Sequence, residues 1–315
     1  MLVSAAEEAI HSAMPTDPTR AGTVALIGLP NAGKSSLLNC LLGEKLSIVT
    51  PHAQTTRERV VGIETRDGVQ MIFLDTPGIL QPAYLLHRSL AAIVEETIAD
   101  ADVVVLVLDG TRGPPALAPE LSEVLHRKGR HLIPVVNKVD VAAETQRTAL
   151  SSWARESFGR EPLALSARTG AGVAEMREEI AAMLPESPFL YPDEEISSQP
   201  VRFFVAELVR ETVFERYAEE IPYSTAVRIQ EFREATDPLF IRAEILVERP
   251  TQKAILIGKR GAAIRELGTA ARTKIEAFLD RRVYLDLWVK VIPKWRKSPV
   301  ELRRLGFPVP EEKED

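Results

Sequence analysis

The sequence is poor in cysteine, in aromatic residues and in long apolar runs. Its 315 residues contain one cysteine, Cys40, so an internal disulfide is excluded and a reducing compartment is indicated. Apolar stretches all fall short of the roughly 20 residues that a membrane helix needs. Aromatic residues make up 6% of the chain and apolar residues 45%, which favours an α/β core of Val, Leu, Ile and Ala. We expect a cytoplasmic protein of two domains.

Two segments have compositions that do not suit a folded core. Residues 1–21 carry three acidic residues, two prolines and no long apolar stretch, and are typical of neither a secretory signal nor a membrane span. Within them, Ala5–Met14 could form one or two helical turns. Residues 184–200 contain four prolines and a run of acids, which predicts a linker. The predicted bounds are residues 1–21 for an N-terminal extension, 22–184 for a first domain, 185–200 for the linker, 201–292 for a second domain and 293–315 for a basic, then acidic, tail.

Charge is divided unevenly between the two predicted halves. Residues 201–315 hold 22 basic and 19 acidic residues, whereas residues 1–200 carry a net charge of −9 in a chain whose total is −6. Residues 251–304 alone have 14 basic and 5 acidic side chains, most densely in Lys290–Lys297. Such a run can be a solvated face. Its position nevertheless favours a second half that binds polyanions.

A phosphate-binding loop occupies Gly28–Ser35 (GLPNAGKS), between an apolar strand-like run and a helix-like run. Glycines let the backbone curl around phosphate oxygens, and the helix N-terminus adds unpaired N–H groups and partial positive charge. Lys34 would reach the β and γ phosphates, and the Ser35 hydroxyl would ligate Mg²⁺. The alternative is a glycine-rich turn with a solvated lysine. The predicted phosphate-binding residues of this loop are Asn31, Ala32, Gly33, Lys34, Ser35 and Ser36.

A second motif, Asn137–Asp140 (NKVD), selects the base. It follows a buried-strand-like run, and the carboxyl ends of such strands bind ligands in open α/β sheets. The Asp140 carboxylate can accept from N1–H and the exocyclic amine of guanine, whereas adenine offers no such pair of donors. Asn137 and Lys138 would brace the loop and cover the base, and Ser166–Arg168 (SAR) would offer backbone N–H groups, those of Ser166 and Ala167, to the guanine carbonyl. Taken alone, NKVD could be a surface turn. The presence of this motif disfavours an ATPase.

Two further segments supply the parts of a γ-phosphate sensor. In Asp75–Gly78 (DTPG), Asp75 would hold Mg²⁺ through water, and the Gly78 N–H would contact the γ-phosphate. In Gln54–Arg57 (QTTR), a threonine would ligate Mg²⁺, and we favour Thr56 over Thr55. The four motifs occur in the order that a GTPase requires. The first half is therefore predicted to be an α/β P-loop GTPase domain with a mostly parallel sheet and helices on both faces.

The catalytic group is not evident, because many GTPases place a water-orienting glutamine directly after DxxG. Here that position is Ile79, which cannot orient water. Asn31 resembles the asparagine that helps some GTPases of this kind hold a potassium ion, and the alternative is that it only caps the loop. Turnover independent of potassium would contradict the first interpretation. We expect slow intrinsic hydrolysis and a switch rather than a metabolic enzyme.

The second half contains the loop Gly258–Gly261 (GKRG) between two helix-like runs. Two glycines allow close approach to a sugar–phosphate strand, and the basic pair adds charge. The predicted order is helix, strand, strand, helix, GxxG, helix, strand, which is that of an α+β type II KH domain. Trp288 and Trp295 could stack on bases or pack within the protein. The predicted RNA-binding residues are Gly258, Lys259, Arg260, Gly261, Ile264, Arg265, Lys290 and Lys294.

Segments along most of the chain resemble the Era family of bacterial GTPases, in which a type II KH domain follows the GTPase domain. The family more often has arginine and valine at the positions of Leu29 and Ala32, and SAK or SAE where this chain has SAR. Neither departure removes a predicted ligand, because these positions act through backbone or shape. Besides the nucleotide motifs, the matching segments are Ala53–Ile63 (AQTTRERVVGI), Ile221–Ser224 (IPYS), Ile245–Gly268, Leu285–Val291 (LDLWVKV) and Glu301–Phe307 (ELRRLGF).

The resemblance implies the partners and the cellular role. It implies GTP or GDP with Mg²⁺ as ligands, with K⁺ a further candidate, and a monomer that acts in assembly and maturation of the small ribosomal subunit. The KH domain would bind small-subunit ribosomal RNA near its 3′ end, with the GTP state controlling affinity. Peripheral contact with the inner face of the cell membrane is a further expectation. Ile79 keeps an alternative open, a constitutive RNA-binding scaffold with a structural guanine nucleotide.

Overall fold

The structure is a computed structural model that describes residues 19–50, 52, 54–79, 81–126 and 131–310. The predictions for residues 1–18, including the helical turns, and for the acidic end 311–315 lie outside the described residues. Within the described part, the strands form one sheet of six strands and one of three. In the same part of the chain, no helix combines the length and the apolar character that crossing a lipid bilayer demands.

The larger sheet is mostly parallel, as predicted for the first half. Its strands are Arg20–Ile27 (β1), Val60–Arg66 (β2), Val69–Asp75 (β3), Val103–Asp109 (β4), His131–Asn137 (β5) and Leu163–Ala164 (β6). Their order is β2-β3-β1-β4-β5-β6, with β2 antiparallel to β3 and the other neighbours parallel. Because β1 begins at Arg20, the first strand starts before the predicted domain bound at residue 22.

Helices cover both faces of this sheet because its central strands are apolar on both sides. Along β1, Val24 and Leu26 pack into one cluster, whereas Ala25 and Ile27 pack into another. All residues of β4 are buried, the pattern of a strand covered twice. The helices of this half are Lys34–Leu42 (α1), Leu85–Asp100 (α2), Pro119–Leu125 (α3), Glu144–Phe158 (α4) and Val173–Met183 (α5).

The smaller sheet has the element order predicted for a type II KH domain. Its strands are Ala226–Arg233 (β7), Leu239–Val247 (β8) and Val283–Val291 (β9), with β7 antiparallel and β9 parallel to the central β8. The helices are Val201–Arg216 (α6), Ile221–Ser224 (α7), Pro250–Ile257 (α8) and Ala262–Leu279 (α9). Residues of α6, α8 and α9 pack with the inward side chains of β8 in a single core. The short helix α7 was not predicted.

The chain after β9 returns to the first half. It forms a 3₁₀ turn at Trp295–Lys297 and a last helix, Pro299–Arg304 (α10). Trp295, Leu302 and Phe307 pack with Leu86 and Leu90 of α2 in one apolar cluster. The C-terminal segment is therefore part of the junction between the two sheets.

The predicted linker follows the surface of the larger sheet. α5 ends at Met183, directly before the proline-rich stretch, as helix-breaking residues require. The N–H groups of Leu190 and Tyr191 donate to Gln70 Oε1 at 2.7 and 2.9 Å. The N–H of Ile63 donates to the carbonyl oxygen of Ile196 at 2.9 Å. These contacts cover the outer strand β2 and its neighbour β3.

Candidate nucleotide site and basic GxxG loop

The loop between β1 and α1 curls back on itself. Gly28, Asn31 and Gly33 have positive φ angles of 151°, 64° and 93°. A Cβ added to Gly33 would lie 2.3 Å from Asn137 Nδ2, so glycine is needed for this close approach to the end of β5. α1 begins directly afterwards at Lys34, without a side-chain cap. An uncapped helix N-terminus behind a curled loop is suited to bind an anion.

Lys34 is buried at the base of this loop. Its Nζ donates to the carbonyl oxygens of Gly28 and Leu29 at 3.0 and 3.2 Å. Burial lowers the pKa of Lys34 to about 8, and the nearby Asp75 carboxylate partly opposes that fall. Phosphate oxygens beside the ammonium group would raise its pKa again, because an anion favours the charged form. The site is therefore electrostatically suited to a phosphate.

Three hydroxyl groups surround the carboxylate of Asp75. Its Oδ2 accepts from Ser35 Oγ at 2.7 Å, from Ser47 Oγ at 3.1 Å and from Thr56 Oγ1 at 3.5 Å. The hydroxyl oxygens of Ser35 and Thr56 are 3.0 Å apart. Burial raises the pKa of Asp75, and Lys34 opposes the rise. The predicted metal ligands Ser35, Thr56 and Asp75 are thus brought together in the structure.

A cavity of about 340 Å³ opens between these elements. Thr55 and Gly78 line it, as do residues of the phosphate loop. The lining residues are Pro30, Asn31, Gly33, Lys34, Ser35, Ser36, Ile48, Val49, Thr50, Gln54, Thr55, Thr56, Gly78, Asp109, Thr111, Arg112 and Lys138. Ala32 is instead buried and packs in the core.

Asn137 and Lys138 brace the phosphate loop. Asn137 Nδ2 donates to the carbonyl oxygen of Ala32 at 2.9 Å, and Asn137 Oδ1 accepts from the Ala167 N–H at 3.0 Å. Lys138 Nζ donates to the carbonyl oxygen of Asn31 at 2.6 Å and to Asp109 Oδ2 at 2.8 Å. This bracing ties the two predicted halves of the nucleotide site into one unit.

The carboxylate of Asp140 is oriented by two side chains. Ser166 Oγ donates to Oδ1 at 2.6 Å, and Arg168 Nε donates to Oδ2 at 2.9 Å. The hydrogen bond from Ser166 lowers the pKa of Asp140, and Arg168 lowers it further. The sequence predicted backbone contacts from Ser166–Arg168 to the base. In the structure the side chains of Ser166 and Arg168 donate to the Asp140 carboxylate, and the contacts of this segment to a base stay a prediction.

The GKRG loop projects from the KH half between α8 and α9. Gly258, Arg260 and Gly261 have positive φ angles of 69°, 53° and 75°. Lys259 and Arg260 are exposed. Arg265 Nε donates to the carbonyl oxygen of Gly261 at 3.2 Å, so this side chain supports the loop. A loop with two exposed basic side chains between glycines is suited to contact phosphates.

Of the other predicted RNA-binding residues, Ile264 follows this loop in the first turn of α9, whereas Lys290 and Lys294 lie elsewhere. Ile264 is half-buried and packs against the KH core. Lys290 lies on the outer face of β9 with the exposed Trp288, opposite the face that the helices cover. Lys294 follows the end of β9, which lies beside the end of β8. The chain passes from that end of β8 into α8, whereas the GKRG loop follows α8, so Lys294 is near the beginning of α8 and not at the loop. The prediction that Trp295 could stack on bases is wrong, because its side chain is fully buried (0% exposed). It packs within the protein, which was the other alternative.

Comparisons with known proteins match both halves of the chain. Two family models match, 50S ribosome-binding GTPase over residues 23–138 and KH domain over residues 220–296. GTPase Era of Geobacter metallireducens is 39% identical over 297 residues, covering 93% of this chain and 100% of that protein. GTPase Era of Thermotoga maritima is also 39% identical, covering 91% of this chain and 97% of that protein. The chain belongs to the Era family of GTPases.

Solved Era structures share the architecture. A tyrosine-to-alanine variant of Aquifex aeolicus Era bound to GDP and AlF₄⁻ has a TM-score of 0.84 and 38% identity, covering 91% of this chain and 99% of that one. An Era in complex with MgGDPNP and nucleotides 1506–1542 of 16S ribosomal RNA has a TM-score of 0.86, with 38% identity and the same coverage. The protein is therefore an Era-family GTPase with a C-terminal KH domain.

Sequence reasoning missed Ser47 in this Era-family site. Ser47 lies in the loop after α1, where no motif marks it, and its hydroxyl binds Asp75. The side chain of Asn39 orders that loop, because its Oδ1 accepts from the N–H groups of Leu46 and Ser47 at 3.0 and 2.9 Å. The polar Asn39 within the apolar run Leu37–Leu42 of α1 was the available signal.

Ile79 does not face the nucleotide cavity. Its N–H donates to the carbonyl oxygen of Gly28 at 3.0 Å, and its side chain packs against the apolar cluster on one face of the larger sheet. The substitution at the usual glutamine position therefore adds to the core. Within the described residues, we identify no other group in its place that could orient water.

Replacing Gly78 by alanine is expected to weaken binding of GTP analogues by about tenfold while GDP binding changes less. An added Cβ would lie 2.8 Å from the backbone N and Cα of Pro30, so the DTPG segment would move away from the phosphate loop. Equilibrium titration with each nucleotide measures the difference. Gly113→Ala is the matched control, because nothing lies within 4 Å of its added Cβ. Equal losses for both nucleotides would contradict a γ-phosphate contact.

Proposed function

We propose that this Era-family GTPase is a switch that binds GTP with Mg²⁺ and binds small-subunit ribosomal RNA near its 3′ end through the KH domain, in assembly and maturation of the small ribosomal subunit. The observation that carries the proposal is the cluster of Ser35, Thr56 and Asp75 at the edge of the phosphate-loop cavity. Such a cluster suits a γ-phosphate-dependent metal site, which a purely structural nucleotide would not require.

The proposed roles follow the geometry of the cavity. Lys34 binds the β and γ phosphates, and Asp140 accepts from guanine while Ser166 orients it. Ala167 is linked to the same region through Asn137. The backbone N–H groups that bind the phosphates belong to Asn31, Ala32, Gly33, Lys34, Ser35 and Ser36, with that of Gly78 at the γ-phosphate.

The oxygen ligands suit Mg²⁺. Asp75 Oδ1 is buried and makes no hydrogen bond, although its partner oxygen accepts several. A buried carboxylate oxygen without a partner is costly, and a hydrated Mg²⁺ would satisfy it. Ser35 and Thr56 would be the direct ligands and Asp75 would act through water. When bound, the ion would neutralise charge on the phosphates.

The RNA part of the proposal rests on the loop Gly258–Gly261 and on the solved Era that holds nucleotides 1506–1542 of 16S ribosomal RNA. That relative is 38% identical to this chain over 91% of its length. The exposed Lys259 and Arg260 supply charge for phosphates, and the glycines allow close approach. The structure of that relative has a TM-score of 0.86 to this chain.

The test is the affinity of the full-length protein for an oligonucleotide from the 3′ end of small-subunit ribosomal RNA, at one fixed salt concentration. We expect binding with a non-hydrolysable GTP analogue to be at least about fivefold tighter than with GDP. Binding should weaken as salt rises, with a logarithmic slope of about −0.7 for each neutralised phosphate. A scrambled oligonucleotide is the control for sequence selectivity.

Equal RNA affinity with both nucleotides would favour the second candidate, a constitutive RNA-binding scaffold. Ile79 favours that candidate, because it leaves the water-orienting position without a polar side chain. Five further proposals rest on the sequence argument alone. They are a potassium ion at Asn31, peripheral membrane contact, a cytoplasmic location, a monomeric state and the domain bounds at residues 184 and 200.

A further inference from the structure

Arg57 crosses from the nucleotide site to the KH half. It follows Thr56 directly, and its side chain is only 5% exposed. Its Nη2 donates to the backbone carbonyl oxygens of Pro222 and Tyr223 at 3.1 and 2.9 Å, and its Nη1 donates to that of Thr225. A single guanidinium thus binds three carbonyl oxygens of a segment more than 160 residues away in the sequence.

The acceptors lie at the end of the short helix α7 and on Thr225, which follows it. The last carbonyl groups of a helix have no partner within it, and together they carry partial negative charge. Trp295 Nε1 donates to the carbonyl oxygen of Ser224 at 2.8 Å, so Arg57 and Trp295 together donate to all four carbonyl oxygens from Pro222 to Thr225. The carbonyl oxygen of Pro222 also accepts from the N–H of Thr225 at 3.4 Å. The planar fork of a guanidinium suits this set of acceptors, whereas a lysine has a single nitrogen.

Anchoring Arg57 restricts Thr56. Consecutive Cα atoms are about 3.8 Å apart, so a fixed Arg57 leaves its neighbour little freedom. Thr56 Oγ1 lies 3.0 Å from Ser35 Oγ and 3.5 Å from Asp75 Oδ2. The proposed Mg²⁺ ligand is therefore held in place from the KH side.

A second contact anchors the other end of the same stretch. Lys45 Nζ donates to Glu211 Oε2 at 2.9 Å, and Lys274 of α9 donates to the same oxygen at 2.7 Å. Glu211 is fully buried on α6. Between the two anchors, the ring centroids of His52 and Phe214 are 6.0 Å apart. The described part of the stretch from Lys45 to Arg57 thus contacts the KH half at both ends and near its middle.

We propose that Arg57 is a positioning residue of the GTP site, and that α6 and α7 of the KH half complete this site by anchoring the stretch that carries Ser47 and Thr56. The inference rests on the proposed function, because Thr56 is the residue through which Arg57 acts. It adds that discrimination between GTP and GDP depends on residues of the second half of the chain.

The experiment measures the affinities of full-length Arg57→Ala for GDPNP and for GDP in the presence of Mg²⁺. We expect the GDPNP affinity to fall about tenfold and the GDP affinity to change less than about twofold, because Thr56 serves only the metal and the γ-phosphate. The difference should disappear when EDTA removes Mg²⁺. Arg59→Ala, an exposed arginine two residues away, is the matched control and should change neither affinity.

A second variant keeps the test valid if Arg57→Ala is unstable. Glu211→Gln weakens the Lys45 anchor at the opposite end and should lower GDPNP affinity more than GDP affinity. Equal losses for both nucleotides, or no loss in either variant, would overturn the inference and leave Arg57 a structural residue. The proposed function fails separately, if the unmodified protein does not prefer guanine nucleotides or does not require Mg²⁺.

Discussion

Replacing Asp140 by asparagine is expected to lower the affinity for GTP and GDP by about a thousandfold. The asparagine amide presents a donor where the guanine amine needs an acceptor, so one hydrogen bond is lost and two donors face each other. The same change should favour xanthine nucleotides, because xanthine has a carbonyl oxygen in place of that amine. Titration with GTP and with xanthosine triphosphate measures both effects.

The gain for xanthine nucleotides separates a change of specificity from unfolding. Glu144→Gln, a nearby exposed carboxylate at the start of α4, should leave both affinities unchanged. Arg168 loses its ion pair in the Asp140 variant, but this arginine is mostly exposed and the pair contributes little to stability. Unchanged GTP affinity in the Asp140 variant would contradict the assignment of the guanine site.

Replacing Gly261 by aspartate is expected to weaken RNA binding by about 10- to 100-fold, because a carboxylate then faces the phosphates. Gly261 has a φ of 75°, which Asp and Asn adopt more readily than other residues, and nothing lies within 4 Å of an added Cβ. GTP hydrolysis in the absence of RNA should be unchanged, since the loop lies outside the nucleotide cavity. Binding of the 3′-end oligonucleotide, followed by fluorescence anisotropy, measures the effect.

Gly261→Asn is the matched control for this prediction. It has nearly the same shape and backbone preference as aspartate but no charge, so the difference between the two variants isolates electrostatic repulsion. Gly258 is less suitable, because an added Cβ would lie 2.6 Å from that of Ala263 and would distort the loop. If Gly261→Asp bound RNA as tightly as Gly261→Asn, the GxxG loop would not be the phosphate-binding element.

The two halves of the GTP site are supported in different ways. Asn137 and Lys138 hold the phosphate loop through bonds within the GTPase half. Thr56, in contrast, depends on Arg57 and therefore on carbonyl groups of the KH half. Variants of Asp140 should consequently affect GTP and GDP alike, whereas variants of Arg57 should weaken triphosphate binding much more than GDP binding. This difference is measurable with one set of nucleotides.

The sequence by itself determined the fold class, the order of the KH elements apart from α7, and the motif residues around the cavity. These were accessible because a phosphate loop, NKVD and GxxG each place their chemistry on contiguous residues, and because β-strand and helix periodicities are local. The apolar run before NKVD predicted a buried strand, and the structure confirms it as β5 (His131–Asn137). The alternation of residue types along β9 matches its burial, with Val289 packed and Trp288 exposed.

Only the tertiary structure decided which residues meet across the chain. Ser47 joins Asp75, Arg168 pairs with Asp140, and Trp295 is buried against Ser224. Arg57 contacts carbonyl groups that carry no sequence signal at all, because every residue has one. Contacts between residues so distant in sequence depend on how the two sheets pack together, and no local pattern encodes that packing.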